Sequence, residues 1–274
     1  MPELPEVETI RRDLQKELVG EKIISIDYIV PKMLQPNPQI VVDNTVGKTV
    51  QSFSRIAKML LINLKEGGHV GIHLKLSGQL YVVDQKIPLE KYSYVMINFD
   101  NGQQIRFNEM RKFGYVKYIK DTSSLDTILN DYGPEPLTPQ FTEESFKKVL
   151  KSARPIKVVI MDQKKVAGVG NIYADEALWY SKIHPETKAN KLTQKEIKEL
   201  FTAINLVIKQ GIDDRGTSID SYLDGYGKKG GHDKNLQVFR RDKKPCSRCG
   251  TIIQKSRVGG RGTHFCPKEQ VYHN

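Results

Sequence analysis

Hydrophobic residues follow two different periods along this chain, and the change of period divides it. In residues 5–18, Val7, Ile10, Leu14 and Leu18 recur at helical spacing and predict an amphipathic helix, the one convincing helix in the first 120 residues. After Gly20 the apolar positions fall into short β-type runs: 23–30, 50–53, 59–64, 70–74, 79–83, 94–99, 104–107 and 115–119. Glu66-Gly67-Gly68, Ser77-Gly78 and Asp100-Asn101-Gly102 supply turns between them. Many short strands at roughly 8–12-residue spacing predict an antiparallel two-layer sandwich rather than a parallel sheet. The prolines of Gly133-Pro134-Glu135-Pro136 mark a linker, beyond which the pattern turns helical. Helices are expected from Thr142 through Leu150, over 156–162, over 171–181 after the glycine-broken turn 167–170, and over 193–209. Residues 211–233, rich in Gly and Asp, are too long for a simple connector, as functional loops usually are.

Composition narrows the function. The 274 residues carry a net charge of +11 with 38% hydrophobic and 27% charged residues, the balance of a folded water-facing chain with ample core. No apolar run approaches the roughly 18 residues of a spanning helix, so no membrane partner is expected. The acidic, Pro-rich opening MPELPEVE is unlike a secretory leader. Three cysteines, all in the last 29 residues, exclude a disulfide framework and fit a reducing cytoplasm. Residues 225–274 hold twelve Lys and Arg against three acids, a concentration that suits a polyanion such as nucleic acid or simply a basic solvated surface.

Several constellations carry possible chemistry. Cys246-x-x-Cys249, sixteen residues and Cys266-x-x-Glu269 match the spacing of a zinc ribbon, with Glu269 in the fourth place. His264 and His273 are alternative fourth ligands, and a ribbon that folds without metal is the other possibility. Between the knuckles, Val258-Gly259-Gly260-Arg261-Gly262-Thr263 reads as a hairpin tip, where the Arg261 fork suits a phosphate. Lys157 and the Gly168-Val169-Gly170-Asn171 helix start form a candidate anion site, with Asn171 otherwise a plain N-cap. Removal of Met1 would leave Pro2 as a secondary α-amine, of which about a tenth or more is unprotonated at neutral pH. Such an amine attacks an aldehyde-type sugar carbon to give an iminium ion, and Glu3 and Glu6 stand within a turn as proton carriers or as dipole-favoured carboxylates. Lys58 opens an apolar strand, and Arg111 and Phe113 share the turn 108–114, either as a wedge for a base stack or as ordinary packing.

Taken in order, MPELPEVETIRR, IKVVIMDQKKVAGVGNIYADEALW, IHP, DGYGKKGGHDKNLQVF and VGGRGTHFCP resemble the bacterial formamidopyrimidine-DNA glycosylase family over essentially the whole chain. Leu4 and Val7 favour that branch over the sibling endonuclease VIII, which typically has Gly in place of that Leu. The resemblance implies an α+β fold in three domains: an N-terminal antiparallel β-sandwich (1–133), a helix-two-turn-helix domain with a lesion-capping loop (134–235), and a C-terminal zinc-ribbon-type finger (236–274). It implies a cytoplasmic, nucleoid-associated monomer acting on double-stranded DNA in base excision repair, with one structural zinc. Oxidised purines would be excised and the abasic strand nicked by β- and δ-elimination; oxidised pyrimidines, or damage binding without catalysis, are the alternatives. By resemblance Pro2 is the Schiff-base nucleophile, Glu3 the proton donor to the sugar, Glu6 a support for Pro2 or the base pocket, and Lys58 the proton donor in β-elimination. Arg261 would grip the phosphate beside the lesion, Lys157 and Asn171 would hold backbone phosphates, and Arg111 and Phe113 would fill the gap left by the extruded base.

The chain departs from the family pattern in places. The usual His-Leu-Gly-Met-Ser-Gly run appears as His73-Leu74-Lys75-Leu76-Ser77-Gly78, so Leu76 stands where Met would enter the void and Lys75 where Gly is usual. Tyr92 replaces a DNA-contacting His, and Glu109-Met110 replaces Asp-Pro before the Arg-Arg-Phe-Gly motif, here Arg111-Lys112-Phe113-Gly114. Thr217-Ser218-Ile219-Asp220 lacks the basic residue often found after the hydrophobic one.

Overall fold

The computed structural model describes residues 2–273, and the expected removal of Met1 lies outside the described residues. The first helix, α1 (Leu4–Leu18), opens with Pro5 in its first turn, where the fixed φ and missing N–H of proline cost nothing. Its apolar stripe, Val7, Ile10, Leu14 and Leu18, is at most 1% exposed. The next elements are β1 (Ile23–Tyr28), β2 (Leu34–Gln35), α2 (Pro38–Thr45), β3 (Val50–Ile56), β4 (Met59–Leu64), β5 (His69–His73), β6 (Gln79–Asp84), β7 (Ser93–Phe99), β8 (Gln103–Asn108), β9 (Tyr115–Ile119) and α3 (Thr122–Leu129). They form a four-stranded sheet, β1-β7-β8-β6, and a five-stranded sheet, β2-β9-β5-β4-β3. One apolar cluster, from Ile26 and Phe99 to Ile62 and Val116, joins the two sheets and α1 as a sandwich core. All pairings are antiparallel except the short β2–β9 contact, which is parallel.

Helix α1 also closes an open sheet edge. Strand β3 lies at the end of its sheet, and the backbone of Phe53 is satisfied by side chains of α1: Gln15 accepts from Phe53 N at 2.7 Å and Arg11 donates to Phe53 O at 3.4 Å. The helix is therefore fixed in register along β3, and with it the two residues just ahead of it, Pro2 and Glu3.

The remaining elements are α4 (Glu143–Val149), α5 (Ile156–Ile160), α6 (Asn171–Tyr180), α7 (Gln194–Asp213), β10 (Gln254–Val258) and β11 (Arg261–Phe265), the last two an antiparallel hairpin. Contacts group the chain differently from its order. One compact unit runs to Asn130 and takes back Asp214–Asp233; the other joins Asp131–Asp213 with the chain from Lys234 onward. The expected capping loop thus packs with the sandwich, and the finger with the helices. In the second unit, Trp179 of α6 shares a small core with Val238, Cys246, Ile253 and Cys266.

Three local differences from the sequence expectations have simple causes. Helices α2 and α3 escape periodicity because α2 buries only Val41 and Thr45 and α3 buries nothing; their starts rest on Asn37 and Asp121 accepting from Ile40 N and Ser124 N. Helix α6 is capped by Gly170, so Asn171 is its first helical residue rather than its N-cap. Helix α7 continues past 209 to Asp213, through Gly211. A Cβ at Gly211 would lie 2.5 Å from the Tyr173 hydroxyl, so the glycine buys a close approach of α7 to α6. Ala is otherwise the better helix former by about 1 kcal/mol, but overpacking should win here. Gly211→Ala is expected to lower stability by about 1–3 kcal/mol, seen as a reduced Tm; an increased Tm would contradict this packing.

Candidate active site

In the first unit the site starts at the head of α1. Pro2 is buried, and Glu3 and Glu6 are each 1% exposed. A buried carboxylate needs donors, and Glu6 uses each oxygen: Oε2 accepts from Glu3 N at 2.8 Å and Oε1 from Thr217 N at 2.9 Å. Tyr222 donates its hydroxyl to Glu6 O at 3.4 Å, and burial together with the Glu6 charge raises the phenol pKa well above its ordinary value. One carboxylate thus ties the backbone beside Pro2 to the segment returning at 214–233.

Lys58, 8% exposed, sits with Ala57 in the tight turn between β3 and β4, whose pairing runs from Ile56–Met59. Ala57 takes a left-handed φ of 50°, and Arg55 steadies the turn by donating to Ala57 O at 2.8 Å. Arg55 Nε also meets Glu8 Oε2 at 3.3 Å, while Arg11 and Arg12 flank the same carboxylate. Burial alone would raise the Glu8 pKa, but the three guanidinium groups hold it below the usual carboxylate value. The turn carrying Lys58 is therefore fastened to the helix carrying Pro2, Glu3 and Glu6. At the same end of the sheet, Met59 pairs with His73, a residue the sequence reading passed over.

The candidate void-filling residues lie on two loops of this unit joined by one acid. Glu109, fully buried, accepts from Phe113 N at 2.8 Å, Gly114 N at 2.7 Å and Arg111 N at 3.2 Å, and also from the Ser77 hydroxyl. That bond binds the 109–114 turn to the loop that carries Leu76. Phe113 is 59% exposed, which removes the packing explanation for it, and Arg111 is exposed as well. Leu76 and Tyr92 are half-buried, and Lys91 Nζ lies 5.4 Å from the Tyr92 ring centre. Lys75 adopts a φ of 53°, the conformation in which the Gly of the family pattern would be unstrained.

The second unit presents the hairpin. Gly259 and Gly260, at φ 55° and 78°, turn β10 into β11 and leave Arg261 exposed on the first position of β11. Lys157, expected on a phosphate, is not at the surface at all. Its side chain is 0% exposed, and Nζ lies 2.6 Å from Asp175 Oδ1 while donating to Thr263 Oγ1 at 2.8 Å and Gly262 O at 3.0 Å. Buried ions persist only when paired, and this one is paired from α6. Asp175 Oδ2 further accepts from His264 N at 2.9 Å and lies 3.2 Å from His264 Nδ1. Asn171 Nδ2 donates to Gly262 O at 3.1 Å, and its Oδ1 is buried without a protein partner. The structure thus brings Lys157 and Asn171 to the Arg261 hairpin as its backbone supports. Nearby, the buried Glu176 accepts from the amides of Gln237, Val238 and Phe239, fixing the entry to the finger.

The sulfurs of Cys246, Cys249 and Cys266 lie within 4.8 Å of one another, close to the spacing of donors on one tetrahedral ion. Burial opposes ionisation of Cys246, but Trp179 Nε1–H and the amides of Arg248 and Cys249 bring its thiol down to about 7, while burial and the neighbouring thiols push Cys266 up to about 11. Among the described residues no fourth His, Cys, Asp or Glu joins this group. The Glu269 carboxylate faces Arg248 Nε at 3.3 Å and Lys182 Nζ at 3.5 Å; His264 is held by Asp175 and lies 3.6 Å from Asp242, and His273 pairs with Glu196 at 3.3 Å.

Residues 1–116 match the family description "Formamidopyrimidine-DNA glycosylase N-terminal domain", 132–222 the "Formamidopyrimidine-DNA glycosylase H2TH domain", and 243–268 the "Zinc finger found in FPG and IleRS". A formamidopyrimidine-DNA glycosylase of Desulforamulus reducens is 43% identical over 97% of this chain and 98% of its own length. Three solved Lactococcus lactis structures cover 98% of this chain. One, with N7-benzyl-Fapy-dG DNA, has TM-score 0.93, 39% identity and 100% of its own chain covered. A complex with abasic-site DNA has TM-score 0.93, 38% identity and 99% covered, and one with oxidised-pyrimidine DNA has TM-score 0.92, 38% identity and 100% covered.

His73 supplies a test of the site's electrostatics. Its Nδ1 accepts from Lys75 N at 3.0 Å, and burial, then the charges of Lys75 and Lys58, push its pKa down to about 4. A neutral ring with Nδ1 accepting keeps its proton on Nε2, ready to donate. Because the unfolded ring protonates near pH 6.5 and the folded ring only near 4, the unfolded state binds more protons between these values. The contribution of His73 to stability is therefore complete above about pH 6.5 and is lost as pH falls toward 4. An NMR titration is expected to show this imidazole neutral at pH 5.5; a midpoint near 6.5 would refute its burial beside the two lysines.

Proposed function

The chain belongs to the formamidopyrimidine-DNA glycosylase family and is a DNA glycosylase of base excision repair, and from that premise we propose that Pro2 performs both base excision and strand cleavage on oxidised purines. The observation that carries this reading is the packing of α1: its buried, carboxylate-rich head holds Pro2, and the Lys58 turn is tied to the same helix through Arg55 and Glu8. The Pro2 nitrogen would attack C1′, the damaged base leaving with the electron pair of the glycosidic bond; O4′ would then leave C1′ with its bonding pair and take a proton as the sugar ring opens, giving the iminium ion that acidifies C2′. Loss of a C2′ proton then breaks the C3′–O bond, and a second elimination breaks the C5′–O bond. Glu3 would pass a proton to the sugar, Lys58 would serve the first elimination, and Glu6 would keep the head of α1 in place.

The second unit would contribute the anion grip. Arg261 is exposed on a turn whose backbone is held by Lys157 and Asn171, so its fork reaches a phosphate without the turn giving way. In the first unit Leu76, Arg111 and Phe113 would occupy the gap of the flipped nucleotide, positioned by Glu109, with Tyr92 at the adjacent backbone. The work would fall to three functional domains, 1–133, 134–235 and 236–274, with 214–233 of the second packed on the first. One chain supplies both nucleophile and anion grip, which suits a monomer on double-stranded DNA, and the free thiols suit the cytoplasm. Oxidised pyrimidines are a second substrate class, favoured by the Lactococcus lactis complex with such DNA.

Borohydride trapping with an 8-oxoguanine duplex should give a covalent protein–DNA adduct that disappears in Pro2→Gly. No adduct, or one that survives the substitution, would overturn the amine mechanism and leave a damage-binding protein; a parallel 5-hydroxyuracil duplex ranks the two lesion classes.

The finger fits structural zinc on Cys246, Cys249 and Cys266, and Glu269 would complete the set by turning from Arg248 and Lys182 toward the sulfurs. Glu269 shares the turn of Cys266, and its partner Arg248 lies within the Cys246–Cys249 knuckle, so the carboxylate spans both knuckles. About one zinc per chain is expected by elemental analysis, with weaker retention against a chelator in Glu269→Ala and unchanged retention in His273→Ala. Metal-free protein prepared without chelator would refute the site.

A further inference from the structure

The segment Asp214–Asp233 is fastened to α1 at a second point, away from the catalytic carboxylates. Arg215 Nη2 lies 2.6 Å from Asp13 Oδ2 and 2.6 Å from Asp224 Oδ2, with Nε 3.2 Å from the latter. Asp13 belongs to α1 and its side chain is 1% exposed; the same Oδ2 also accepts from Gly225 N at 3.0 Å. The approach is close enough that a Cβ at Gly225 would sit 2.5 Å from Asp13 Cβ. Asp224 in turn accepts from Tyr226 N and Lys228 N, so one guanidinium ties both ends of a tight turn to the helix. Nearer the head of α1, Thr217 N bonds Glu6, which bonds Glu3 N. The stretch between Thr217 and Asp224 is therefore held against the Glu6 turn of α1, where Tyr222 bonds Glu6 O, four residues from Pro2.

We propose that Arg215 is a positioning residue for base recognition: by bridging Asp13 and Asp224 it sets where the 218–222 wall stands against α1, while Thr217 keeps its own anchor on Glu6, and Arg215 takes no part in the sugar chemistry. The inference rests on the reading that this chain removes a base and then cleaves the abasic strand. Those two steps make different demands. Excision needs the base held while the glycosidic bond breaks, and a misplaced wall costs rate steeply. Cleavage of a preformed abasic site has no base to hold and needs only Pro2 and its neighbours.

The test uses single-turnover kinetics of the full chain on an 8-oxoguanine duplex and on the same duplex carrying a preformed abasic site. Arg215→Ala should slow excision by about tenfold or more and leave abasic cleavage within about twofold of the unmodified protein. Arg215→Lys, which keeps one charge but cannot fork to both carboxylates, should recover part of the excision rate. Equal losses on both substrates in either variant, or no loss on either, would overturn the positioning role. If the unmodified protein cleaves neither substrate, the glycosylase–lyase reading fails instead, so the two failures are distinguishable.

Discussion

The head of α1 is organised by the need to solvate one buried charge. Glu6 is out of reach of water, and its oxygens take the amides of Glu3 and Thr217. Stripping donors from a buried carboxylate costs several kcal/mol in a low-dielectric interior, far more than an exposed ion pair returns. The 214–233 segment is therefore no independent flap: moving Thr217 away would strand the acid beside Pro2. Arg215, Asp13 and Asp224 repeat the arrangement lower on the same helix. Pro2, Glu3, Glu6 and the returning 214–233 segment are consequently all positioned by a single element, which is itself locked onto the open edge of β3.

The second unit solves a different problem with the same means. A two-glycine turn is intrinsically loose, yet an exposed Arg261 would grip a phosphate well only if the turn holds its shape. The buried Lys157–Asp175 pair fixes the following backbone at Gly262 and Thr263. Such a pair adds little net stability, because desolvation offsets most of the attraction. What it specifies is geometry, and removing either partner would leave an uncompensated ion at the base of the hairpin. Polar residues that look like surface ligands in the sequence thus divide into two sets: exposed ones free to meet a ligand, such as Arg111 and Arg261, and buried ones, such as Lys157, that hold backbone.

That division marks how far the sequence could be read. The stripe of α1, the period-two strands and the hairpin tip follow from local rules, and their places in the structure agree. The family resemblance singled out Pro2 and Lys58, which local chemistry alone would leave as a terminal residue and a strand-end cation. The burial of Lys157 is not legible in the sequence, because its neighbours in Ile156–Ile160 say nothing of Asp175, whose charge arrives from α6. Glu109 looked like a departure from a pattern; only the fold reveals four donors converging on it. The attachment of 214–233 to the sandwich was equally hidden, since Asp13 and Arg215 are ordinary charges until the chain returns across α1.

The finger extends this logic to its unusual fourth position. Arg248 stacks 3.7 Å from the centre of the Trp179 ring, donates to Trp179 O at 2.6 Å and pairs with Glu269. Trp179 also donates to Cys246 Sγ at 3.4 Å, and Gln270 joins Cys266 N to Ile183 O. The two knuckles are thereby tied to each other and to the preceding domain by cation–π, ionic and hydrogen-bond contacts that involve no metal. In a four-thiolate ribbon the ion is the main cross-link, and its loss removes most of the folding energy. In this finger the Glu269–Arg248 pair and the Trp179 contacts supply part of that cross-linking from the protein itself. The hairpin bearing Arg261 gains from this, because its support from Lys157 and Asp175 also comes from the protein side and persists whatever the occupancy of the cysteines.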